Sequence, residues 1–301
     1  AGAEVWFADI DPNTYLLDIN SVKELIESKP KGFFKGIIPV DFAGLPVNME
    51  DFRALADAHN LWIIEDACHA PGGYFIDSKK DQNFCGNGRY ADIGVFSFHP
   101  VKHIACGEGG MLTTNSKKLY KKLMLLRTHG ITKENMEENH GNWYYEMIAL
   151  GFNYRLTDIQ SALGVSQLKK LDKFVKKRNQ IAKIYSQNFN SNIFNKPEIN
   201  ENNLHSFHLY PLLIKFNKLK ITKSLFLKKM LAVGIRLQVH YIPTYLHPFY
   251  KKKFKFKKSN FPVSENFYKE EISLPIYYSL RKYEVYKVIN SIEKICKKNL
   301  K

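Results

Sequence analysis

Residues 61–66 read LWIIED and residues 93–102 read IGVFSFHPVK, and these two segments decide the fold. Each begins with a short apolar run that is too brief for a helix and is typical of a strand buried in a sheet. Asp66 follows the first run directly, and Lys102 follows the second run after a short loop. In open α/β sheets, ligands bind at the carboxyl ends of the strands. We therefore expect Asp66 and Lys102 to meet across one ligand.

Further apolar runs and amphipathic segments alternate on both sides of these two segments. Residues 34–40 (FKGIIPV) and 110–114 (GMLTT) predict two more strands. Residue types that favour helix N-termini precede the amphipathic segments, namely Asn48, Ser116, and Thr157 in a capping-box pattern with Gln160. The last of these opens a long helical pattern that extends to Tyr185. The alternation predicts an α/β fold, with a mostly parallel sheet sandwiched by helices.

A change in composition divides the chain. Residues 188–203 are rich in Asn, Ser and Pro, which is typical of a hinge. Beyond them the sequence predicts a smaller α+β unit, with strands at 208–216 and 236–242 and helices at 224–233, 264–271 and 283–298. We therefore predict a large domain over residues 1–190 and a small C-terminal domain over residues 191–301.

The length and composition exclude several classes of protein. The chain has 301 residues, 45% of them hydrophobic, which is enough for one large core and a smaller lobe. It contains no apolar run long enough for a membrane span and begins at Ala1 without the pattern of a secretory signal, which favours the cytoplasm. None of its four cysteines forms a C-x-x-C pair, so we expect free thiols and no metal site.

The net charge of +16 has two interpretations. Nucleic-acid binding is one, but the lysines are spread along helices and tails and form no recognised nucleic-acid motif. The interpretation that we favour is a solvated basic surface, whose positive field would also attract a substrate that carries a diphosphate.

Asp66 and Lys102 are the two kinds of side chain that pyridoxal phosphate requires. A lysine amine forms an imine with the aldehyde of the cofactor, and a carboxylate keeps the pyridine nitrogen protonated so that the ring acts as an electron sink. The alternative is that Asp66 belongs to a turn or caps a helix, and that Lys102 faces solvent.

Four segments resemble the DegT/DnrJ/EryC1/StrS family of sugar aminotransferases in order, spacing and residue type. They are IEDACHA at 64–70, FSFHPVK at 96–102, GEGG at 107–110 and GFNYRLTDIQ at 151–160. The similarity extends from VWFADID at 5–11 nearly to the C-terminus. Within the family, HGIT at 129–132 and WYYEM at 143–147 are most similar to the C4 aminotransferases of pseudaminic acid biosynthesis.

The resemblance implies a fold-type I transferase, dependent on pyridoxal phosphate, with specific roles for matching residues. Lys102 is expected to form the Schiff base and to carry the proton of the 1,3-transfer, and Asp66 to pair with the pyridine nitrogen. His69 is expected to contact the cofactor ring or its 3-hydroxyl, and Ser97 the cofactor phosphate. The remaining cofactor residues, which the resemblance places at the neighbouring subunit's site in a homodimer, are Asn153 and Arg155.

The small lobe is expected to bind the sugar. VHYIP at 239–243 and LHP at 246–248 resemble the segment that lines the family's sugar-nucleotide pocket, which makes His240, Tyr241 and His247 candidate substrate residues. The alternative is that these aromatic residues serve packing. The other histidines, at 59, 140, 205 and 208, have no partners at metal-ligand spacing and are expected on the surface or in packing.

The resemblance also implies a reaction: transfer of an amino group from L-glutamate to C4 of a UDP-linked 4-keto-6-deoxy-N-acetylhexosamine, which would serve flagellin glycosylation. Family members carry a further segment before the position that matches Ala1, so an inactive or partner-binding fragment is one alternative. A dehydratase of the same family is another, but such enzymes have His where the imine lysine belongs, whereas here Lys102 is in register and His103 follows it.

Overall fold

The N-terminal lobe is built around a sheet that carries both decisive segments. The computed structural model describes residues 2–134, 136–138, 140–198 and 202–301. In chain order, the helices and strands of this lobe are α1 (Ile19–Glu27), β1 (Gly36–Ile37), α2 (Met49–His59), β2 (Trp62–Asp66), β3 (Tyr74–Ile76), β4 (Gln82–Phe84), β5 (Ile93–Ser97), β6 (Gly110–Thr113), α3 (Lys117–Arg127), β7 (Ile131–Thr132), β8 (Glu146–Met147), α4 (Asp158–Leu168) and α5 (Leu171–Asn188).

The strands of the main sheet lie in the order β1-β2-β5-β6. The first three are parallel, with Asp66 of β2 opposite Val95 of β5, and β6 pairs antiparallel to β5 at the edge. Helix α2 covers the sheet, because its Phe52, Leu55 and Ala56 share one core with Ile63 of β2. The predicted α/β fold with a mostly parallel sheet is confirmed.

The strand predicted over residues 34–40 is much shorter than expected. Strand β1 contains only Gly36 and Ile37, and Val40 joins Asp66 by a single bridge. Pro39 lies between Ile37 and Val40 and has no N–H to donate, so the hydrogen-bond ladder breaks there. The Pro39 carbonyl still accepts a hydrogen bond from the Asp66 N–H at 2.9 Å, which anchors the end of β2.

The three predicted helix starts are confirmed, and side-chain caps form at two of them. The Ser116 hydroxyl accepts from Leu119 N–H at the start of α3, and Thr157 forms the full capping box with Gln160 at the start of α4. Asn48 precedes α2 but does not cap it, because its amide donates to the Asp51 carboxylate instead, at 2.7 Å.

The long helical pattern that begins after Thr157 forms two helices, α4 and α5. Between the two helices the backbone forms a tighter turn of the 3₁₀ type. The Lys170 N–H there bonds to the carbonyl of Gln167, three residues earlier, instead of a carbonyl four residues earlier as in an α-helix. Helix α5 restarts at Leu171, and its second half packs into the C-terminal lobe.

The C-terminal lobe has a dense core around a small antiparallel sheet. Its elements are β9 (Phe194–Asn195), β10 (Asn203–Leu204), β11 (Tyr210–Ile214), α6 (Lys223–Ala232), α7 (Pro248–Lys253), α8 (Pro262–Glu270), β12 (Glu271–Leu274) and α9 (Lys282–Lys298). The sheet order is β12-β11-β9, whereas β10 pairs with β3 of the first lobe. The core begins inside α5, at Ile181 and Tyr185. The division at residue 190 stays a prediction.

One prediction for this lobe is wrong. Residues 236–242 form no strand, and only Gln238 bridges to Ser273 of β12. The His240 N–H donates to the side chain of Glu271 rather than to a neighbouring backbone carbonyl, so no ladder extends there. The segment 188–203 contains β9 and the first residue of β10, and its residues 199–201 lie outside the described residues. Its role as a hinge stays a prediction.

Within the described ranges, none of the helices combines the length and the apolar character that a bilayer crossing requires.

Candidate active site

The sheet delivers Asp66 and Lys102 to the same edge. Asp66 ends β2, and its carboxylate accepts a hydrogen bond from the Cys68 N–H at 3.0 Å. Lys102 follows β5 in a turn that is closed by its own N–H, which donates to the His99 carbonyl at 2.9 Å. Because β2 and β5 are parallel neighbours, both loops leave from the carboxyl edge of the sheet.

Lys102 is half-buried, and its charge interacts with its neighbours. Burial lowers the pKa of its amine, while Cys68 and the Asp66 carboxylate act in the opposite direction. Burial therefore favours the neutral amine, the form that attacks an aldehyde. The geometry brings Lys102 and Asp66 into one electrostatic cluster.

His69 lies in the same cluster as a neutral ring. It is 8% exposed, and burial lowers its pKa to about 3, with the charges of Lys102 and His240 acting in the same direction. Its Nδ1 accepts from the Ala43 N–H at 3.3 Å, which places the ring proton on Nε2. Nε2 lies 3.4 Å from the hydroxyl of Tyr241, so the small lobe reaches this side of the site.

The small-lobe candidates are placed differently from one another. His240 is half-buried and feels the charge of Lys102, which lowers its pKa together with burial. Tyr241 is 49% exposed and contacts His69. His247 is exposed at the start of α7, and its backbone bonds within the described chain are local, to Thr244 and Lys251. Only the first two join the cluster.

The candidate phosphate residues lie further along the edge. Ser97 ends β5, and its hydroxyl accepts from the His99 N–H at 3.4 Å. Asn153 and Arg155 are exposed, and the Arg155 guanidinium bonds to Nε2 of His129 at 2.8 Å. Within the described residues, no hydrogen bond or ion pair connects Asn153 or Arg155 to Lys102.

Two buried histidines, His208 and His103, lie next to the cluster and were not recognised from the sequence as part of the site. The rings of His208 and His69 are in tilted contact with centroids 4.3 Å apart, and the ring centroids of His103 and His208 are 5.5 Å apart. Both are buried, and burial lowers the pKa of each well below its usual range. His208 was expected either on the surface or in packing, and its buried position agrees with packing.

Two further residues, Glu271 and Ser273, support His240 from β12. The Glu271 carboxylate accepts from the His240 N–H at 2.9 Å, and the Ser273 hydroxyl lies 2.8 Å from Nδ1 of His240. In the sequence, polar residues at 271 and 273 alternate with Ile272 and Leu274, and this period of two is the signal that indicates a strand.

Comparison with known proteins places the chain in a sequence family. The model of the DegT/DnrJ/EryC1/StrS aminotransferase family matches residues 1–293. An uncharacterised protein of Methanocaldococcus jannaschii is 40% identical over 296 residues, which cover 97% of this chain and 74% of that protein. The UDP-4-amino-4,6-dideoxy-N-acetyl-beta-L-altrosamine transaminase of Campylobacter jejuni is 39% identical over 277 residues, 91% of this chain and 69% of the enzyme.

Solved structures give the same picture. PseC of Helicobacter pylori, an aminotransferase involved in the biosynthesis of pseudoaminic acid, superposes with a TM-score of 0.84 at 33% identity. The match covers 97% of this chain and 74% of that one. The similarity therefore includes both lobes and the edge that carries Lys102.

Proposed function

The chain belongs to the DegT/DnrJ/EryC1/StrS aminotransferase family, and on that premise we propose that it transfers an amino group from L-glutamate to C4 of a UDP-linked 4-keto-6-deoxy-N-acetylhexosamine. It is a sugar aminotransferase that depends on pyridoxal phosphate. The amino donor, the nucleotide and the position on the sugar are the parts that we propose.

The observation that carries the proposal is the cluster of Lys102, Asp66 and His69. Its groups fit the cofactor: a half-buried amine whose pKa is lowered by burial, a carboxylate within electrostatic reach, and a neutral imidazole beside them. When bound, pyridoxal phosphate supplies an aldehyde and an electron-withdrawing ring. A surface lysine beside a surface aspartate would lack the burial that lowers the pKa of the amine and so favours its neutral form.

Each residue of the cluster has a proposed task. The amine of Lys102 would hold the cofactor through its aldehyde carbon and would carry a proton away from Cα of the amino donor. The Asp66 carboxylate would keep a proton on the ring nitrogen, because an anion beside that nitrogen favours its cationic form. His69 would contact the ring, and the Ser97 hydroxyl would donate to the phosphate.

The substrate class rests on the named relatives. The Campylobacter relative is named for a UDP-linked dideoxy amino sugar, and the Helicobacter structure is titled for pseudoaminic acid biosynthesis. We propose the corresponding reaction for this chain, with His240, Tyr241 and His247 facing the sugar, and a role in the supply of sugar for flagellin glycosylation. The net charge of +16 would attract the diphosphate of such a substrate.

We further propose that the enzyme works as a homodimer. Asn153 and Arg155 are exposed, and within the described part of the chain neither forms a hydrogen bond or an ion pair with Lys102. A second copy could receive them at its own phosphate site, as the resemblance implies.

The test is a product assay with the full-length protein, pyridoxal phosphate, L-glutamate and the UDP-linked 4-keto sugar. We expect a product that carries an amine at C4, together with one equivalent of 2-oxoglutarate. A Lys117→Ala variant is the matched control, since Lys117 is exposed at the start of α3. A dehydrated sugar without new nitrogen, or no product at all, would contradict the proposal.

A further inference from the structure

Glu271, Ser273 and His240 form a continuous chain of hydrogen bonds. Glu271 and Ser273 lie two residues apart on β12, so their side chains point to the same face of the strand. The Ser273 hydroxyl donates to Oε1 of Glu271 at 2.6 Å and lies 2.8 Å from Nδ1 of His240. The second carboxylate oxygen, Oε2, accepts from the backbone N–H of His240 at 2.9 Å.

The directions of these bonds assign the proton on His240. The Ser273 hydroxyl has one proton, and an ionised Glu271 can only accept it. The Ser273 oxygen must then accept from Nδ1–H of His240, which leaves the lone pair on Nε2. If Glu271 is protonated on Oε1 instead, the two side-chain bonds reverse, and Nε2 carries the proton.

The two ends of this series of hydrogen bonds, Glu271 and His240, lie in different surroundings. Glu271 is fully buried, and His240 is half-buried beside Lys102 and His69. The charges that face Glu271 are Lys223 of α6 and, when ionised, Tyr241. One end is therefore closed off in the core, and the other lies within the cluster around Lys102.

We propose that Glu271, Ser273 and His240 form a proton relay that takes one proton from the ammonium group of the amino donor. The proton binds to Nε2 of His240 while Nδ1–H passes to the Ser273 oxygen and the Ser273 proton passes to Oε1 of Glu271. The donor becomes a neutral amine whose lone pair can attack carbon, His240 stays neutral in its other tautomer, and Glu271 becomes the neutral acid. Reversal of the relay returns the proton to the amine of the aminated product.

The protonation behaviour of the two end groups supports this relay. Burial raises the pKa of Glu271 to about 7, so the acid can hold and release a proton near neutral pH. Burial and the charge of Lys102 lower the pKa of His240, so a proton does not rest on the imidazole but passes through it. A general base of this kind accelerates proton transfer by roughly 10²-fold or more.

The kinetic test uses Ser273→Ala, which cuts the relay, and Ser273→Thr, which keeps the hydroxyl. It rests on the proposed function and follows the reaction of the pyridoxal phosphate enzyme with L-glutamate alone. We expect Ser273→Ala to be about 100-fold slower than the wild type at pH 7 and to approach it at pH 9, where more of the donor is already a free amine. Ser273→Thr should regain most of the rate.

The matched control is Glu265→Gln, because Glu265 is a second buried glutamate of the same lobe and bonds to Tyr245 instead. It should match the wild type at every pH. A deficit in Ser273→Ala that stays constant with pH, or an equal deficit in Ser273→Thr, would overturn the relay, because a merely structural role predicts both.

A second measurement reads the relay without turnover. In ¹⁵N-histidine NMR spectra, the signal of His240, identified by its loss in His240→Phe, should show Nδ1–H at pH 8 and a tautomer change near pH 7 that Ser273→Ala abolishes. Nε2–H at pH 8 in the wild type would overturn the relay. Failure of the wild type to aminate any keto sugar would overturn the proposed function instead, and the NMR result would still decide the relay.

Discussion

Two buried glutamates flank the site, one in each lobe, and they differ in what they connect to. Glu65 is 4% exposed and directly precedes Asp66, while Glu271 is fully buried and supports His240. Burial raises the pKa of each to about 7. Glu271 is hydrogen-bonded through Ser273 to the imidazole of His240, whereas the neighbours of the Glu65 carboxyl all lie in the core.

The closed cluster of the large lobe consists of Glu65, Asp41 and Cys85. Their ligand-type atoms lie within 4.8 Å of one another, and Asp41 Oδ2 is buried and has no hydrogen-bond partner among the described residues. Two carboxylates so close together in the core cannot both be ionised, so they share a proton. Gly86 donates its N–H to Glu65 at 2.8 Å, and its φ of +71° shows why this position favours glycine.

This closed cluster holds Asp66 in place. The backbone N–H of Asp41 donates to the Asp66 carbonyl at 3.1 Å, so Asp41 braces the end of β2. The comparison teaches that burial alone gives two glutamates the same shifted pKa, and that connection to the site decides which one can move a proton during catalysis.

The largest expected effect comes from Lys102→Ala. Turnover should be abolished, because no other side chain of the cluster supplies an amine, and His240 should bind protons at higher pH once the charge of Lys102 is removed. The closed cluster should not respond, since Lys102 is not among the charges that act on Asp41 or Glu65. Product assays and histidine NMR measure both results. Residual amination, or an unchanged His240 titration, would break the comparison.

The next effect is on stability. Asp41→Ala removes the acceptor of the Val47 N–H, which is bonded at 2.8 Å, and leaves Glu65 without its partner. We expect the free energy of unfolding to fall by about 1–3 kcal/mol, because buried polar groups lose their hydrogen-bond partner. Asp41→Asn keeps both contacts and should cost about 1 kcal/mol. Urea unfolding measures both variants, and equal losses would show that the shared proton is unimportant.

The pH dependence of stability separates the two glutamates. The pKa of Glu65 rises from 4.5 in the unfolded chain to about 7, so its protonation favours the folded state. Its contribution is complete below about pH 4.5 and is lost as the pH rises to about 7, by up to about 3 kcal/mol. Glu65→Gln and Glu271→Gln should both flatten this slope, but only Glu271→Gln should change the pH profile of the reaction with L-glutamate. Identical activity profiles would erase the distinction between the two lobes.

The smallest expected effect belongs to Cys85. Its thiol is buried against Asp41, and Cys85→Ser should lower the free energy of unfolding by about 1 kcal/mol, because a more polar group replaces it in the core. Turnover should stay at the wild-type level. Thermal unfolding and the product assay measure the two quantities, and a loss of turnover without a loss of stability would connect the closed cluster to catalysis after all.

The large-lobe half of the site could be predicted from the sequence because its signals are local. Asp66 and Lys102 each follow an apolar run directly or within a short loop, and parallel strands bring such positions to one edge. The capping box at Thr157 is equally local. Each of these patterns is contained within about ten residues.

The contacts that support His240 in the small lobe could not be predicted, because they join distant residues. His240 bonds to residues 31 and 33 positions later, and no local pattern specifies that pairing. Glu271 was assigned to the end of a helix, whereas α8 ends at Glu270 and β12 begins with Glu271. The ring contact between His69 and His208 likewise depends on how the two lobes pack.

The most direct test of the central claim is to trap the cofactor on its lysine. The full-length protein is mixed with pyridoxal phosphate, reduced with borohydride and digested, and the labelled peptide is located by mass spectrometry. The account predicts one stoichiometric label, on Lys102, that L-glutamate removes when it is added before reduction. A label on another lysine, or one spread over the surface lysines and insensitive to the amino donor, would contradict it.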